Sequence, residues 1–385
     1  MKKRVFCIIM VILILIPNII YGEGFDNGAR AVLLGEFASG KVLYEHSIDT
    51  QVEVASLTKI MTYLVAMDYV SAGKVSLDDV IIISSKAAKT PGSSFKLKEG
   101  EELSLKILLD SIMIVSANDS CVAIAEYISG SEEEFVKLMN SKAKKIGLEK
   151  TQYLNSSGYP LKGGKQNMMS TRDLFQLTRY VITKYPQVLE ITRMNKIFLS
   201  TRGFDSDNTN PLLDLIKDVD GFKTGYTDKA GHCLITTIEV KENENNKKPL
   251  RLIGIVMGTK NEEDRKNISK ELIEYGLENF SYQQILNKDV SLKTINIVNS
   301  GKNNIGIFPQ SDLFMLVKKG QVTHQEIAFN ENIFAPIKAG TVVGKVIVSN
   351  EEGQNHTINL IVKENIQRKS VLNLLLDLLL NMAIK

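Results

Sequence analysis

Cysteine is scarce in this chain, with three residues in 385. Cys7 lies inside an apolar N-terminal run, leaving Cys121 and Cys233, so a disulfide framework is excluded. One bridge is arithmetically open, but both residues have apolar neighbours and are expected as two buried thiols. Cys7 stands at the start of the apolar run rather than after it, which argues against a lipid-attachment cysteine. Histidine is equally sparse. His46, His232, His324 and His356 are scattered, with no H-E-x-x-H and no paired histidines. Zinc-peptidase chemistry therefore has no ligand set, and neither metal nor cofactor is expected. A surplus of positive charge is missing too. Lys2, Lys3 and Arg4 account for the excess; removing them from 47 basic residues leaves 44, against 44 acidic ones. Nothing forms a basic groove for nucleic acid. No short period repeats, which excludes a solenoid.

The same three basic residues open a secretory pattern. An apolar run over 5–16 follows, Pro17 breaks it, and the small Gly22 comes shortly after. This is the architecture of a signal peptide, expected over 1–22 with cleavage after Gly22. The alternative is an uncleaved anchor, but a run of about twelve residues falls short of the roughly 20 a spanning helix needs. The protein is thus expected outside the cytoplasmic membrane, at its outer face.

Hydrophobic residues make up 44% of the chain, enough for a sizeable core, and the length suits two domains. Residues 30–46 predict a hairpin, and 56–70 a helix with Ile60, Met61, Leu64, Val65 and Met67 on its apolar positions. One or two buried helices are predicted over 103–128, another over 132–145 ending at Gly147, and another over 171–184 capped by Ser170 or Thr171. Strands are predicted at 223–226, 233–240 and 250–258, then a helix over 260–280. This order describes an α+β layer with helices packed on an antiparallel sheet, expected over 23–280. Beyond Tyr282 long helical periods vanish and short β-rich runs separated by turns predict a small all-β sandwich over 281–364. Over 366–385 the polar Ser370, Asn373, Asp377 and Asn381 recur every three or four residues among leucines, with Arg368 and Lys369 at the start. That pattern predicts an amphipathic helix lying in a membrane interface, or docked on protein.

Three short motifs carry chemistry. In Ser56-Leu57-Thr58-Lys59, residues three apart on a helix start share a face, so Lys59 can reach the Ser56 hydroxyl. A serine is a weak nucleophile until a base takes its proton, and a lysine serves when burial and nearby positive charge lower its pKa. Ser116-Ala117-Asn118 lies 60 residues downstream between apolar helices; its hydroxyl can relay a proton and its amide can hold Lys59 or a carbonyl. In Lys223-Thr224-Gly225 the glycine lets a substrate backbone pair with the strand, while Lys223 supplies charge near Ser116 and Thr224 a hydroxyl. Each tripeptide alone is common.

Together, in this order and these contexts, they resemble the signature of β-lactamases and penicillin-binding proteins. The chain most resembles the D-alanyl-D-alanine carboxypeptidases, the low-molecular-mass penicillin-binding proteins. Ala55 to Thr62, Tyr153-Leu154-Asn155 with Gly158, Ser170 to Asp173, Asn208-Thr209-Asn210 and Val219 to Asp228 are all similar to family text, and Ala335 to Gly340 suits its C-terminal β domain. The resemblance implies a β-lactamase/transpeptidase-like domain, a small β domain and a membrane-anchor helix. It implies that Ser56 attacks the carbonyl between two terminal D-alanines, with Lys59 as base. Ser116, Asn118 and Lys223 complete the catalytic set. Gly225, Tyr226 and Thr227 line the substrate strand, the Tyr226 N–H joins that of Ser56 in an oxyanion hole, and Thr224 and Arg265 take the terminal carboxylate. Whether Lys59 is the sole base or shares the proton with Ser116 and Lys223 stays open. Expected partners are peptidoglycan stem peptides ending in D-Ala-D-Ala, β-lactams as covalent inhibitors and, through the terminal helix, the membrane surface. Departures from the family pattern include Val54, Gly35-Glu36, Pro211, Tyr226 and Asn167-Met168; none touches nucleophile or base.

Rival readings share this scaffold. A class A β-lactamase needs a glutamate four residues before Asn155, where Thr151 stands. An endopeptidase or transpeptidase uses the same acyl-enzyme with a different substrate or acceptor. A non-catalytic peptidoglycan-binding protein would not need Ser56, Lys59, Ser116, Asn118 and Lys223 all intact.

Overall fold

The computed structural model describes residues 24–370, apart from Phe25, Asn332 and Glu352. The first strand, Ala31–Glu36, is buried at every position. An unbroken apolar strand of this kind belongs where both faces of a sheet are covered. It lies in a five-stranded antiparallel sheet ordered Val42–His46, Ala31–Glu36, Leu250–Thr259, Gly231–Val240, Val219–Thr227. Leu33, Ile235, Ile253 and Ile255 face a helical lobe, while Val32, Leu34, Leu234, Leu252 and Val256 face the helix Glu262–Asn279. That helix sits close because Gly276 has no side chain: a Cβ there would lie 2.7 Å from Leu252 Cδ1 and 2.9 Å from Leu34 Cδ2.

The helical lobe is built around Lys59–Ser71, buried at every position from Lys59 to Met67. A helix apolar on all sides belongs in a core. It follows a 3-10 turn, Ala55–Thr58. The stretch predicted as one or two helices is a short strand, Glu102–Ser104, and two helices, Leu105–Ile114 and Asn118–Ser129. Ser104 accepts from Ile107 N and caps the first of these. Glu132–Lys145 carries three glutamates in its first turn and three lysines in its last, matching its dipole, and ends before Gly147 at φ +77°. Thr171–Lys184 is capped by Ser170, whose Oγ accepts from Asp173 N at 3.1 Å.

The strand carrying Lys223 is longer than expected. Asp220 and Gly221 disguise it, since both are poor strand formers. In the structure Asp220 accepts from Arg251 at 2.7 Å and from Thr237, and Gly221 sits at φ +129° against Thr192 where the register shifts.

The C-terminal part is all β. A two-stranded sheet, Phe280–Leu286 with Leu313–Lys318, packs on a five-stranded one through Leu286, Ile307, Met315, Val346 and Leu360. Phe280 and Leu316 instead join the core beneath Glu262–Asn279, so the two units share apolar contact. Tyr282 N donates to Asn246 Oδ1 and Tyr282 O accepts from Lys247 N, both at 2.8 Å.

The helix expected over 366–385 does not begin where it was predicted. Ile366 is buried and bridges Ile337, and Arg368 bridges Ser300, so residues 366–370 run extended along the β domain. The leucine pattern carried the expectation past a boundary that backbone pairing sets. The remainder of that segment and the expected signal peptide lie outside the described residues. Among the described helices, none is long and apolar enough to cross a membrane.

Leu272 joins helix and sheet and is fully buried. Leu272→Ala should lower the unfolding free energy by about 2–5 kcal/mol, seen as a lower urea midpoint at unchanged slope.

Candidate active site

Ser56 stands in the 3-10 turn, whose first residue, Ala55, is held at φ +44°. Two glycines make room for this turn. A Cβ on Gly158, itself at φ +83°, would fall 1.8 Å from the Ala55 carbonyl oxygen. A Cβ on Gly225 would lie 3.2 Å from Ser56 N and 3.3 Å from Ala55 Cβ, so the strand Val219–Thr227 passes directly against the nucleophile's backbone. That strand is the edge of its sheet, and its outer backbone edge is open to an added strand.

Lys59 points back at Ser56. Its Nζ lies 2.7 Å from Ser56 Oγ, 2.7 Å from Asn118 Oδ1 and 2.8 Å from the Ser157 carbonyl. The last two groups only accept hydrogen bonds. A neutral amine has two N–H donors and one lone pair, so those acceptors use both donors and the lone pair is left for the Ser56 proton. The Asn118 amide is oriented for this, because its Nδ2 donates to the Pro91 carbonyl at 2.8 Å. Burial pushes the Lys59 ammonium down to about 8, against a smaller upward pull from the Asp119 carboxylate. Lys223 is buried as well and makes one hydrogen bond, to the Thr224 carbonyl. Burial holds it well below the ordinary lysine value, and the positive charges of Lys59 and Arg265 add to this.

Ser116 stands two residues before the helix Asn118–Ser129. It is held at φ +62°, is buried, and its Oγ has no hydrogen-bond partner among the described residues. Such an outlier costs roughly 1–3 kcal/mol and persists where surrounding structure enforces it. Thr224 donates to Thr209 Oγ1 at 2.6 Å. Tyr226 turns its ring outward, stacked on His232 with centroids 4.1 Å apart, and bonds Asp228, so only its backbone faces the nucleophile turn's side of the strand. Thr227 spends its hydroxyl on Gln166 at 2.7 Å and on Ala230 N at 3.0 Å, closing the strand's turn. Arg265 is buried; Glu262 is 4.0 Å from its guanidinium, and its Nε has no partner among the described residues. Cys121 and Cys233 are free, buried thiols pushed by burial up to about 12 and about 11, and so stay neutral.

Several supporting residues carry roles that the sequence reading did not assign. Asn155 Oδ1 accepts from Gly158 N at 2.7 Å, and its Nδ2 donates to the Tyr159 carbonyl at 2.7 Å. Asn167 Oδ1 accepts from Leu154 N, and its Nδ2 donates to Thr58 Oγ1 at 2.9 Å and to the Asn155 carbonyl at 3.0 Å. Thr62 donates to the Ser156 carbonyl at 2.6 Å. Together they aim the Ser157 carbonyl at Lys59. The Asn155–Gly158 spacing was a visible signal; Asn167 offered none. Asp119, next to the second motif, is equally buried and accepts from Phe95 N at 2.9 Å and Ser94 Oγ at 2.6 Å. Thr151, where a β-lactamase would place its glutamate, donates to Asp173.

Gly158→Ala should push the loop off the nucleophile turn. Acylation of Ser56 by an activated ester should fall roughly 100-fold with the circular dichroism spectrum retained.

Comparison with known proteins places the chain in a family. Residues 23–261 match the family described as D-alanyl-D-alanine carboxypeptidase, and residues 280–368 match the C-terminal domain of penicillin-binding protein 5. The chain is 32% identical over 329 residues to the D-alanyl-D-alanine carboxypeptidase DacF of Bacillus subtilis, covering 84% of this chain and 82% of that one. Penicillin-binding protein 5 from Haemophilus influenzae superposes with a TM-score of 0.66 at 28% identity, over 89% of this chain and 98% of that one. Penicillin-binding protein D2 from Listeria monocytogenes, in its ampicillin-bound form, superposes with a TM-score of 0.58 at 30% identity, over 65% of this chain and 98% of that one. With the family match spanning more than half of the chain and a relative this similar along most of its length, the chain belongs to the D-alanyl-D-alanine carboxypeptidase family of serine peptidases.

Proposed function

We propose that this enzyme removes the terminal D-alanine from peptidoglycan stem peptides ending in D-Ala-D-Ala, through an acyl-enzyme on Ser56. The observation that carries this is the buried Lys59 amine, held between Ser56 Oγ, Asn118 Oδ1 and the Ser157 carbonyl. Lys59 takes the Ser56 proton as Oγ bonds to the carbonyl carbon of the penultimate D-alanine. The oxyanion that forms is held by the backbone N–H groups of Ser56 and Tyr226. Collapse breaks the C–N bond, and the departing D-alanine nitrogen gains a proton delivered through Ser116 and Lys223. The Ser116 hydroxyl is suited to this step because no protein group occupies it. Thr224 and Arg265 receive the terminal carboxylate. Water then releases the shortened peptide and regenerates Ser56. A β-lactam, resembling the D-Ala-D-Ala end, acylates the same hydroxyl; the ampicillin-bound Listeria relative supports this by analogy.

We further propose that the protein is exported by residues 1–22 and held at the outer face of the membrane by the leucine-rich segment that follows Arg368 and Lys369.

Incubation with a fluorescent penicillin should give a stable adduct by intact mass, absent in Ser56→Ala, and diacetyl-Lys-D-Ala-D-Ala should release D-alanine. A folded wild type that forms no adduct would overturn the reading. Rapid release of hydrolysed drug would favour a β-lactamase. The pH dependence follows from Lys59. Below about 8 its lone pair is protonated, so acylation should rise with pH through about 8 and lose about tenfold for each unit below it.

A further inference from the structure

We propose that Arg202 is a positioning residue for the Lys59–Asn118 pair, acting through the loop of residues 91–97. This rests on the acyl-enzyme reading above. Arg202 lies at the tip of the hairpin Lys196–Leu199 and Phe204–Asp207, outside all three motifs, and touches none of the reacting groups. Its side chain is nonetheless almost wholly buried and fully employed. The guanidinium pairs with both carboxylate oxygens of Glu101, donates to the Phe95 carbonyl at 3.0 Å and donates to the Lys96 carbonyl at 2.8 Å. It also lies over the Phe95 ring, 4.5 Å from its centroid, and Phe95 in turn packs edge-on against Phe204 at 4.4 Å.

What Arg202 grips is the sleeve around the second motif. The inner side of the same loop meets Asn118 and Asp119. The Pro91 carbonyl accepts from Asn118 Nδ2 at 2.8 Å, and the Ser93 carbonyl accepts from Asn118 N at 2.7 Å. Phe95 N and Leu97 N donate to the Asp119 carboxylate at 2.9 and 3.1 Å. Thus Phe95 is held from inside by its N–H and from outside by its carbonyl and ring. Lys96 next to it sits at φ +56°, a strained conformation that the outer clamp holds in place. The Pro91 contact fixes which end of the Asn118 amide faces Lys59. A loop free to drift by an ångström would let that amide turn, deprive Lys59 of an acceptor, and admit water beside it.

The test separates positioning from folding. The titratable groups around Lys59 are Lys223 on the motif strand and Asp119 and Cys121 on the helix Asn118–Ser129, and Arg202 is not among them. The second-order rate of acylation by a fluorescent penicillin is measured from pH 6 to 10 for wild type, Arg202→Ala and Arg202→Lys, alongside thermal melts. Arg202→Ala should acylate about tenfold more slowly. The midpoint of its acid limb should move up toward the ordinary lysine value, because water reaching Lys59 favours the ammonium. Arg202→Lys should recover little, since an ammonium cannot make the fork on Glu101 while holding two carbonyls. A wild-type rate and midpoint in Arg202→Ala would overturn the proposal. So would a slower rate that tracks lost folded protein with the midpoint unmoved. Should the alanine variant not fold, Glu101→Gln carries the same comparison, with the same shift expected. Absence of an adduct on the wild type would instead remove the acyl-enzyme reading itself, and is seen before any variant is compared.

Discussion

Three hydrogen bonds to one buried nitrogen govern this structure. Lys59 Nζ meets a hydroxyl from its own turn, an amide oxygen from the helical lobe and a carbonyl from the loop before Tyr159. A buried ammonium among these partners is costly, since no carboxylate bonds it. A buried neutral amine is well matched, because two acceptors and one donor hydroxyl fit its two protons and its lone pair. The site thus obtains a base at near-neutral pH from a residue that is normally protonated there. The cost is that each partner must arrive from a different part of the chain.

That requirement explains the density of amide clamps nearby. Asn155 and Asn167 each satisfy backbone groups on both their oxygen and their nitrogen, while Asn118 gives its oxygen to Lys59 and its nitrogen to the Pro91 carbonyl, so each locks a loop rather than a helix or strand. Asparagine suits this work because its amide carries donor and acceptor together without charge. A carboxylate in the same places would raise the pKa of Lys59 and keep it protonated. The carboxylate that does pull on Lys59, Asp119, is held by the backbone N–H groups of Phe95 and Leu97 rather than by the amine.

Much of this was legible and the remainder was not, for identifiable reasons. Ser56 and Lys59 could be paired from sequence because one turn of helix brings them together, a local geometry. The layer order was legible because helices and strands bury apolar faces with different periods. The roles of Asn167 and Asp119 were not, because their partners are brought near only by the tertiary fold. Glycine at 158 was noticed as family text, yet its reason, the Ala55 carbonyl where a Cβ would stand, exists only in three dimensions. The strand at Val219–Thr227 was underestimated at Asp220 because its charge is neutralised by Arg251, a partner two strands away. Leucine periodicity cannot register that Ile366 and Arg368 pair with Ile337 and Ser300, which is why a helix expected from 366 onward does not hold over 366–370.

The junction between the two units bears on how such a site would be used. A flexible linker between them would need few contacts and polar surroundings. Here the first strand of the β unit starts at Phe280, the residue after the last helix of the catalytic unit, leaving no linker. Phe280 and Leu316 are buried in the catalytic unit's own core, and Asn246, Lys247 and Asn279 bond directly to Tyr282 and Lys319. Turning one unit against the other would expose those apolar side chains and break those bonds, so the two move as one body. The chain still bonds the β unit beyond the bridge at Arg368, where Lys369 N donates to the Asn299 carbonyl. With the following segment on a membrane, as proposed above, the β unit would act as a stiff spacer rather than a tether. The open edge of Val219–Thr227 would then be carried at a set reach from the lipid surface, so that substrate selection by position would come from the spacer and selection by chemistry from the cleft.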